Sequence, residues 1–192
     1  MTANEKAQKV LREIERITEK HFLPIIGPEK GKVLADIVKK YQPKRILEIG
    51  TLVGYSAILM AMNLPKTKSA KIISIEFRPN AAEIARENIE EAGFADTIEV
   101  HVGDAKEIIP RLKNEKERFD MIFLDAVKDE YLTYLKLAEQ MLEKNAVIVA
   151  DNAGVFAEEM DYYLNYVRNS GKYKSENIQI DGDALEVSVK LT

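Results

Sequence analysis

Apolar residues recur at helical spacing at the start of the chain and give way to short, unbroken apolar runs further on. Over residues 5–22, Ala7, Val10, Leu11, Ile14 and Ile17 fall on one face of an amphipathic helix. A loop over 23–27 leads to a helix opened by Pro28, carrying Val33, Leu34, Ile37, Val38 and Tyr41 and stopped by Pro43. The runs at 45–49, 71–76, 97–102, 119–124 and 146–150 read as buried strands. Helical patterns alternate with them at 55–62, 79–93, 130–143 and 158–168, while 106–118 receives no element. Such alternation predicts βαβ units on a parallel sheet with helices on both faces, an α/β fold. The tail reads as a strand through Ile178 and Ile180, an Asp181–Gly182–Asp183 turn, and a second strand with Leu185, Val187, Val189 and Leu191 alternating. This hairpin signal adds an antiparallel edge.

The 192 residues predict one domain over 1–192, with 1–27 as an accessory helix and loop. The charged start lacks the apolar core of a signal peptide, and no later run could span a bilayer, so a cytoplasmic location without membrane contact is expected. The chain has no cysteine, which excludes disulfides, thiolate nucleophiles and zinc–sulfur sites. A net charge of −4 argues against a protein dedicated to nucleic acid, although basic patches at 66–71 and 111–118 leave RNA open. Ile14 and Ile17 ask for burial against the same chain or a second copy, which makes a homodimer through the first helix an expectation.

The chemistry gathers around 45–56, where a strand turns sharply into a helix through Gly50 and Gly54. The pattern is Glu48-x-Gly50-x-x-x-Gly54, without the third glycine of dinucleotide sites. A carboxylate at this turn repels a pyrophosphate and suits a cationic ligand end, such as an ammonium or a sulfonium. The second strand ends in Glu76, where α/β nucleotide sites hold ribose hydroxyls with an acid. Asp104 ends the third. Acids after the first two strands point to S-adenosylmethionine as cofactor. Asp125 and the Asp151–Asn152 pair end two further strands and supply three oxygens to one crevice, a set suited to magnesium or another hard divalent cation. Taken one at a time, these residues also fit loop carboxylates or helix caps. Lys128 reaches the same crevice and is either a general base or a surface lysine. His21 and His101 read as structural.

Together, EIGTLVGYS, Glu76, FLDAVKDEY, VIVADN and GDALEVSV resemble the magnesium-dependent O-methyltransferases of the catechol type, with the caffeoyl-CoA enzymes as more distant kin. The resemblance implies a seven-stranded class I methyltransferase sheet, metal ligands Asp125, Asp151 and Asn152, and Lys128 as base. It implies that Glu48 and Ser56 hold the methionine end, Glu76 the ribose and Asp104–Ala105 the adenine, with Ile26 as a backbone contact. Glu186 matches the family acid that binds the acceptor's second hydroxyl. The acceptor implied is a small dihydroxy compound, bound through its hydroxyls by Lys128, Asn152 and Glu186. The departure is the absence of tryptophan: Val127 stands where the catechol enzymes wall the ring with one, which implies a more open pocket. Competing readings are a methyltransferase of a hydroxylated tRNA base and a non-catalytic S-adenosylmethionine-binding protein. A nicotinamide oxidoreductase is disfavoured by Glu48 and the missing glycine.

Overall fold

The computed structural model describes residues 3–67 and 69–192; Met1 and Thr2 of the accessory arm and Lys68 of the basic 66–71 patch lie outside the described residues. Two helices, α1 (Ala3–Thr18) and α2 (Gly27–Tyr41), precede the alternation. It begins with β1 (Arg45–Ile49), α3 (Tyr55–Asn63), β2 (Lys71–Glu76), α4 (Pro79–Ala92), β3 (Ile98–Val102) and α5 (Ala105–Asn114). It continues with β4 (Phe119–Leu124), α6 (Tyr131–Ala138), β5 (Leu142–Ala150), α7 (Asp161–Asn169), β6 (Tyr173–Ile180) and β7 (Asp183–Lys190). The strands form one seven-stranded sheet in the order β3-β2-β1-β4-β5-β7-β6. β1 to β5 pair in parallel, whereas β7 runs antiparallel to both β5 and β6. This is the α/β sheet with an antiparallel C-terminal edge that the pattern predicts.

The chain builds outward from β1 to β3, then returns to place β4 on the other side of β1. Ligands of such sheets sit at this switch point, outside the carboxyl ends of the strands. Register keeps those ends level: Ile49 pairs with both Ile75 and Leu124, and Leu124 pairs with Ala150. The two-residue period of a strand sends alternate side chains to opposite faces. Ile46 therefore joins the apolar layer beneath α1 to α4, while Leu47 and Ile49 join the layer beneath α5 to α7. Glu48 lies on the Ile46 side, completely buried.

Several expectations are corrected. α1 ends at Thr18, short of Phe22, and its Ala7, Val10, Leu11 and Ile14 are buried against α3 and α4, leaving only Ile17 40% exposed. The burial demand behind the expected dimer is thus met largely within the chain. The stretch after Ala105 is helical: Asp104 caps α5 by accepting from Lys106 N at 2.8 Å, and Ile108, Ile109 and Leu112 are buried. Pro110 inside that helix obscures the pattern, but three buried apolar side chains outweigh one missing hydrogen bond. The helix expected over 130–143 is shorter, because 3₁₀ turns at Lys128–Glu130 and Glu139–Met141 bracket α6 and Leu142 already pairs with Phe119. Among the described residues, no helix is long and apolar enough to cross a membrane.

Candidate active site

A cavity of about 860 Å³ opens at the carboxyl ends of β1 to β5, within the size range of small-molecule sites. Of the residues singled out from sequence, Ile26, Gly50, Ser56, Glu76, Asp104 and Ala105 line one end, and Asp125, Lys128, Asp151 and Asn152 the other. Gly50 is there by necessity. Its φ is +96°, and a Cβ would stand 2.0 Å from the Asp125 carbonyl oxygen.

Gly54, Glu48 and Glu186 are corrections. Gly54 is not part of the wall: with φ +87° it starts α3, and its missing Cβ lets the Ala85 carbonyl of α4 come close. Glu48 does not reach the cavity either. Its two oxygens accept hydrogen bonds from the Ser56 and Ser74 hydroxyls, and the side chain is sealed behind them. Burial pushes its carboxyl up to about 7, the serines pulling the other way and the charge of Asp125 adding to the rise. Ser56, braced by Glu48, is the group that faces the cavity. Glu186 lies on the far side of the sheet. There it receives Arg168 through two bonds at 2.8 and 2.6 Å and Asn177 at 3.0 Å. The alternation along β7 turns it away, since Leu185 and Val187 belong to the opposite face.

At the β2 and β3 end, backbone N–H groups hold the acids. Glu76 accepts from Leu52 N at 2.9 Å and from Arg78 N at 3.0 Å, with Arg78 Nε at 3.2 Å. Asp104 is fixed as the cap of α5. Ile26 sits at the start of α2 and is almost fully buried.

At the β4 and β5 end, the Leu124–Ala150 pairing makes Asp125 and Asp151 leave the sheet side by side. Lys128 Nζ donates to Asp125 Oδ1 at 3.1 Å and to the Tyr131 hydroxyl at 2.8 Å. Lys30, from α2, donates to Asp151 Oδ1 at 2.6 Å and to Asp183 Oδ2 at 2.7 Å. Burial and the neighbouring Asp125 charge push the Asp151 carboxyl upward; Lys30 offsets this only in part. Burial alone would also raise Asp183, but Lys30, the Val155 and Ala184 N–H groups and the Asn152 amide hold it well below the usual carboxylate range. Asn152 adopts φ +65° and donates Nδ2 to Asp183 Oδ2 at 2.8 Å, which leaves its carbonyl oxygen available.

Among the described residues, no three His, Cys, Asp or Glu side chains form a cluster that could hold a metal ion. The donor set is instead two carboxylates and one amide. All three are hard oxygen donors, and the adjacent carboxylates repel each other, so the set fits a magnesium-like cation. Sequence reasoning missed Lys30, Asp183 and Tyr131. A lysine one turn into a helix and an aspartate beside a hairpin turn carry no local signal. It also missed the rim, where Phe22 and Phe156 stand 90% and 41% exposed beside Val127 at 55%.

Residues 1–180 match a family model described as O-methyltransferase. The chain is 42% identical over 154 residues to catechol O-methyltransferase B of Danio rerio, covering 78% of this chain and 57% of that protein. It is 34% identical over 172 residues to catechol O-methyltransferase of Mus musculus, covering 87% and 63%. The chain thus spans about six-tenths of the length of these relatives. Among solved structures, the O-methyltransferase from Bacillus cereus in complex with SAH superposes with a TM-score of 0.85 at 29% identity, over 95% of this chain and 90% of that one.

Proposed function

This chain belongs to the O-methyltransferase family, and from that premise we propose that it moves the methyl group of S-adenosylmethionine to one hydroxyl of a catechol-like vicinal diol, using a divalent cation, Mg²⁺ by preference. The observation that carries this reading is the continuity of one cavity from Ser56, Glu76 and Asp104 to Asp125, Lys128, Asp151 and Asn152. A cofactor end and an acceptor end then face the same space.

In this reading Ser56 meets the methionine end, Glu76 the ribose hydroxyls, Asp104 and Ala105 the adenine, and Ile26 contributes its backbone. Glu76 accepts three hydrogen bonds from the chain, and a carboxylate has about four lone-pair sites, so it retains capacity for a ribose hydroxyl. Asp125, Asp151 and the Asn152 carbonyl oxygen would hold the cation. When bound, the cation favours the ionised form of a coordinated hydroxyl and S-adenosylmethionine supplies an electrophilic methyl. Lys128 Nζ, braced by Asp125 and Tyr131, would receive the hydroxyl proton as the neutral amine, the form that a neighbouring divalent cation and sulfonium favour. The acceptor is gripped without Glu186, which is committed to Arg168.

The test is transfer from methyl-labelled S-adenosylmethionine to catechol, a caffeoyl ester and bulk tRNA, each with Mg²⁺ or with chelator. Label in a diol, abolished by chelation, is the expected result. Transfer that survives chelation removes the cation from the reading. Label in tRNA alone, with a steep salt dependence, transfers the assignment to a hydroxylated base.

A further inference from the structure

Asp183 lies at the start of β7, far along the chain from the strand ends that carry the proposed metal ligands, yet it touches most of what surrounds them. Its Oδ1 accepts from Gly154 N at 3.2 Å and Val155 N at 3.0 Å, so it anchors the loop that follows β5. Its Oδ2 accepts from Asn152 Nδ2 at 2.8 Å and from Lys30 Nζ at 2.7 Å, and the same ammonium holds Asp151 Oδ1 at 2.6 Å. Gly154 confirms how closely this loop is seated on the hairpin, because a Cβ there would stand 2.9 Å from Asp183 Cα and from Ala184 N.

We infer that Asp183 is a positioning residue that sets the orientation of the Asn152 amide, turning its nitrogen inward and leaving its oxygen for a cation, while Lys30 ties Asp151 to the same anchor. The inference rests on the proposed metal-assisted methyl transfer. Its physical basis is donor and acceptor chemistry. An amide can present either end to a cation, and only the oxygen end binds. A neighbouring carboxylate accepts and never donates, so it captures the NH₂ end and leaves one orientation. Groups that orient ligands in this way are worth about 10–100-fold in metal affinity. Lys30 also carries the arrangement into α2, whose N-cap residue Ile26 lines the other end of the cavity.

Asp183→Asn tests this in the 192-residue chain. An amide at 183 cannot satisfy both sides of the present arrangement: either its NH₂ faces the donors of Asn152 and Lys30, or it faces the N–H groups of Gly154 and Val155. Mn²⁺ binding, followed by EPR with saturating S-adenosylhomocysteine, is expected to weaken about 10–100-fold. S-adenosylhomocysteine affinity is expected to stay within threefold, with kcat largely restored at saturating Mg²⁺. Mn²⁺ affinity within twofold of the unmodified chain would overturn the inference. Loss of S-adenosylhomocysteine binding together with Mn²⁺ binding, in Asp183→Asn and in Asp183→Ser, would overturn it in favour of a general structural role. Failure of the unmodified chain to bind Mn²⁺ would refute the metal reading itself, and the inference with it, before any variant is compared.

Discussion

At the β2 and β3 end of the cavity each acid accepts from backbone N–H groups of nearby turns and has one solvent-exposed cation beside it. At the β4 and β5 end the acids are held chiefly by largely buried lysines, one of them brought from α2. Glu76 rests on Leu52 N and Arg78 N, and Asp104 on Lys106 N. Asp125, Asp151 and Asp183 rest on Lys128, Lys30 and the Asn152 amide, with backbone N–H groups of Asn152, Gly154 and Val155 adding to the hold on Asp151 and Asp183. Backbone dipoles are fixed by the fold, and the cations beside these acids are exposed to solvent, so the first end is organised without a buried cation. Three carboxylates that share two lysines concentrate negative charge, and such a site gains most from an added divalent cation. On the proposed reading, the contrast separates the end that recognises the cofactor from the end that performs chemistry.

The largest expected effect falls on the charged end. Lys128→Ala should lower methyl transfer about 10²–10⁴-fold, the range for loss of a positioned base. S-adenosylmethionine affinity, measured by calorimetry, should stay within threefold. An equal loss in affinity would mean that the two ends are not separable.

Glu48 breaks the pattern of its own end, since serine hydroxyls rather than backbone N–H groups hold it. Its carboxyl is raised from 4.5 to about 7 by burial. The folded state therefore holds this proton more tightly than the unfolded chain. The associated stability is full below about pH 4.5 and is lost as pH rises through about 7. Relative to Glu48→Gln, the unmodified chain should lose about 3 kcal/mol of unfolding free energy between pH 4.5 and pH 8. Urea unfolding of both proteins across that range checks this, and a constant difference between them would show that Glu48 does not titrate as its burial requires.

The smallest effect belongs to the backbone-held acid. Glu76→Gln should raise KM for S-adenosylmethionine about tenfold, as expected for weakened charge-assisted hydrogen bonds, and leave kcat near its original value. A fall in kcat with unchanged KM would place Glu76 in the chemical step and erase the distinction between the ends.

The residues show why some of this was readable and some was not. Strands that end at or just before Glu76, Asp104, Asp125 and Asp151 announce themselves, because a parallel sheet brings its carboxyl ends to one edge whatever the loops do. Gly50 was legible for a similar reason, although the Asp125 carbonyl that excludes a Cβ was not. Glu186 misled because an acid in a matching motif says nothing about the face on which a strand places it, and a shift of one residue reverses that face. Glu48 misled because its motif marks the turn correctly but does not reveal that Ser56 and Ser74 close over it.

The sequence by itself determined the order of strands and of every helix but α5, the α/β class, the antiparallel edge and the chemistry available at the strand ends, because these follow from periodicity and from residues adjacent in the chain. Only the tertiary structure decided which acids face the cavity, that α1 finds its cover on α3 and α4, and that Lys30 and Asp183, separated by 153 positions, meet around Asp151 and Asn152. Those outcomes depend on which face of each element is buried and on contacts between distant segments, and no local pattern encodes either.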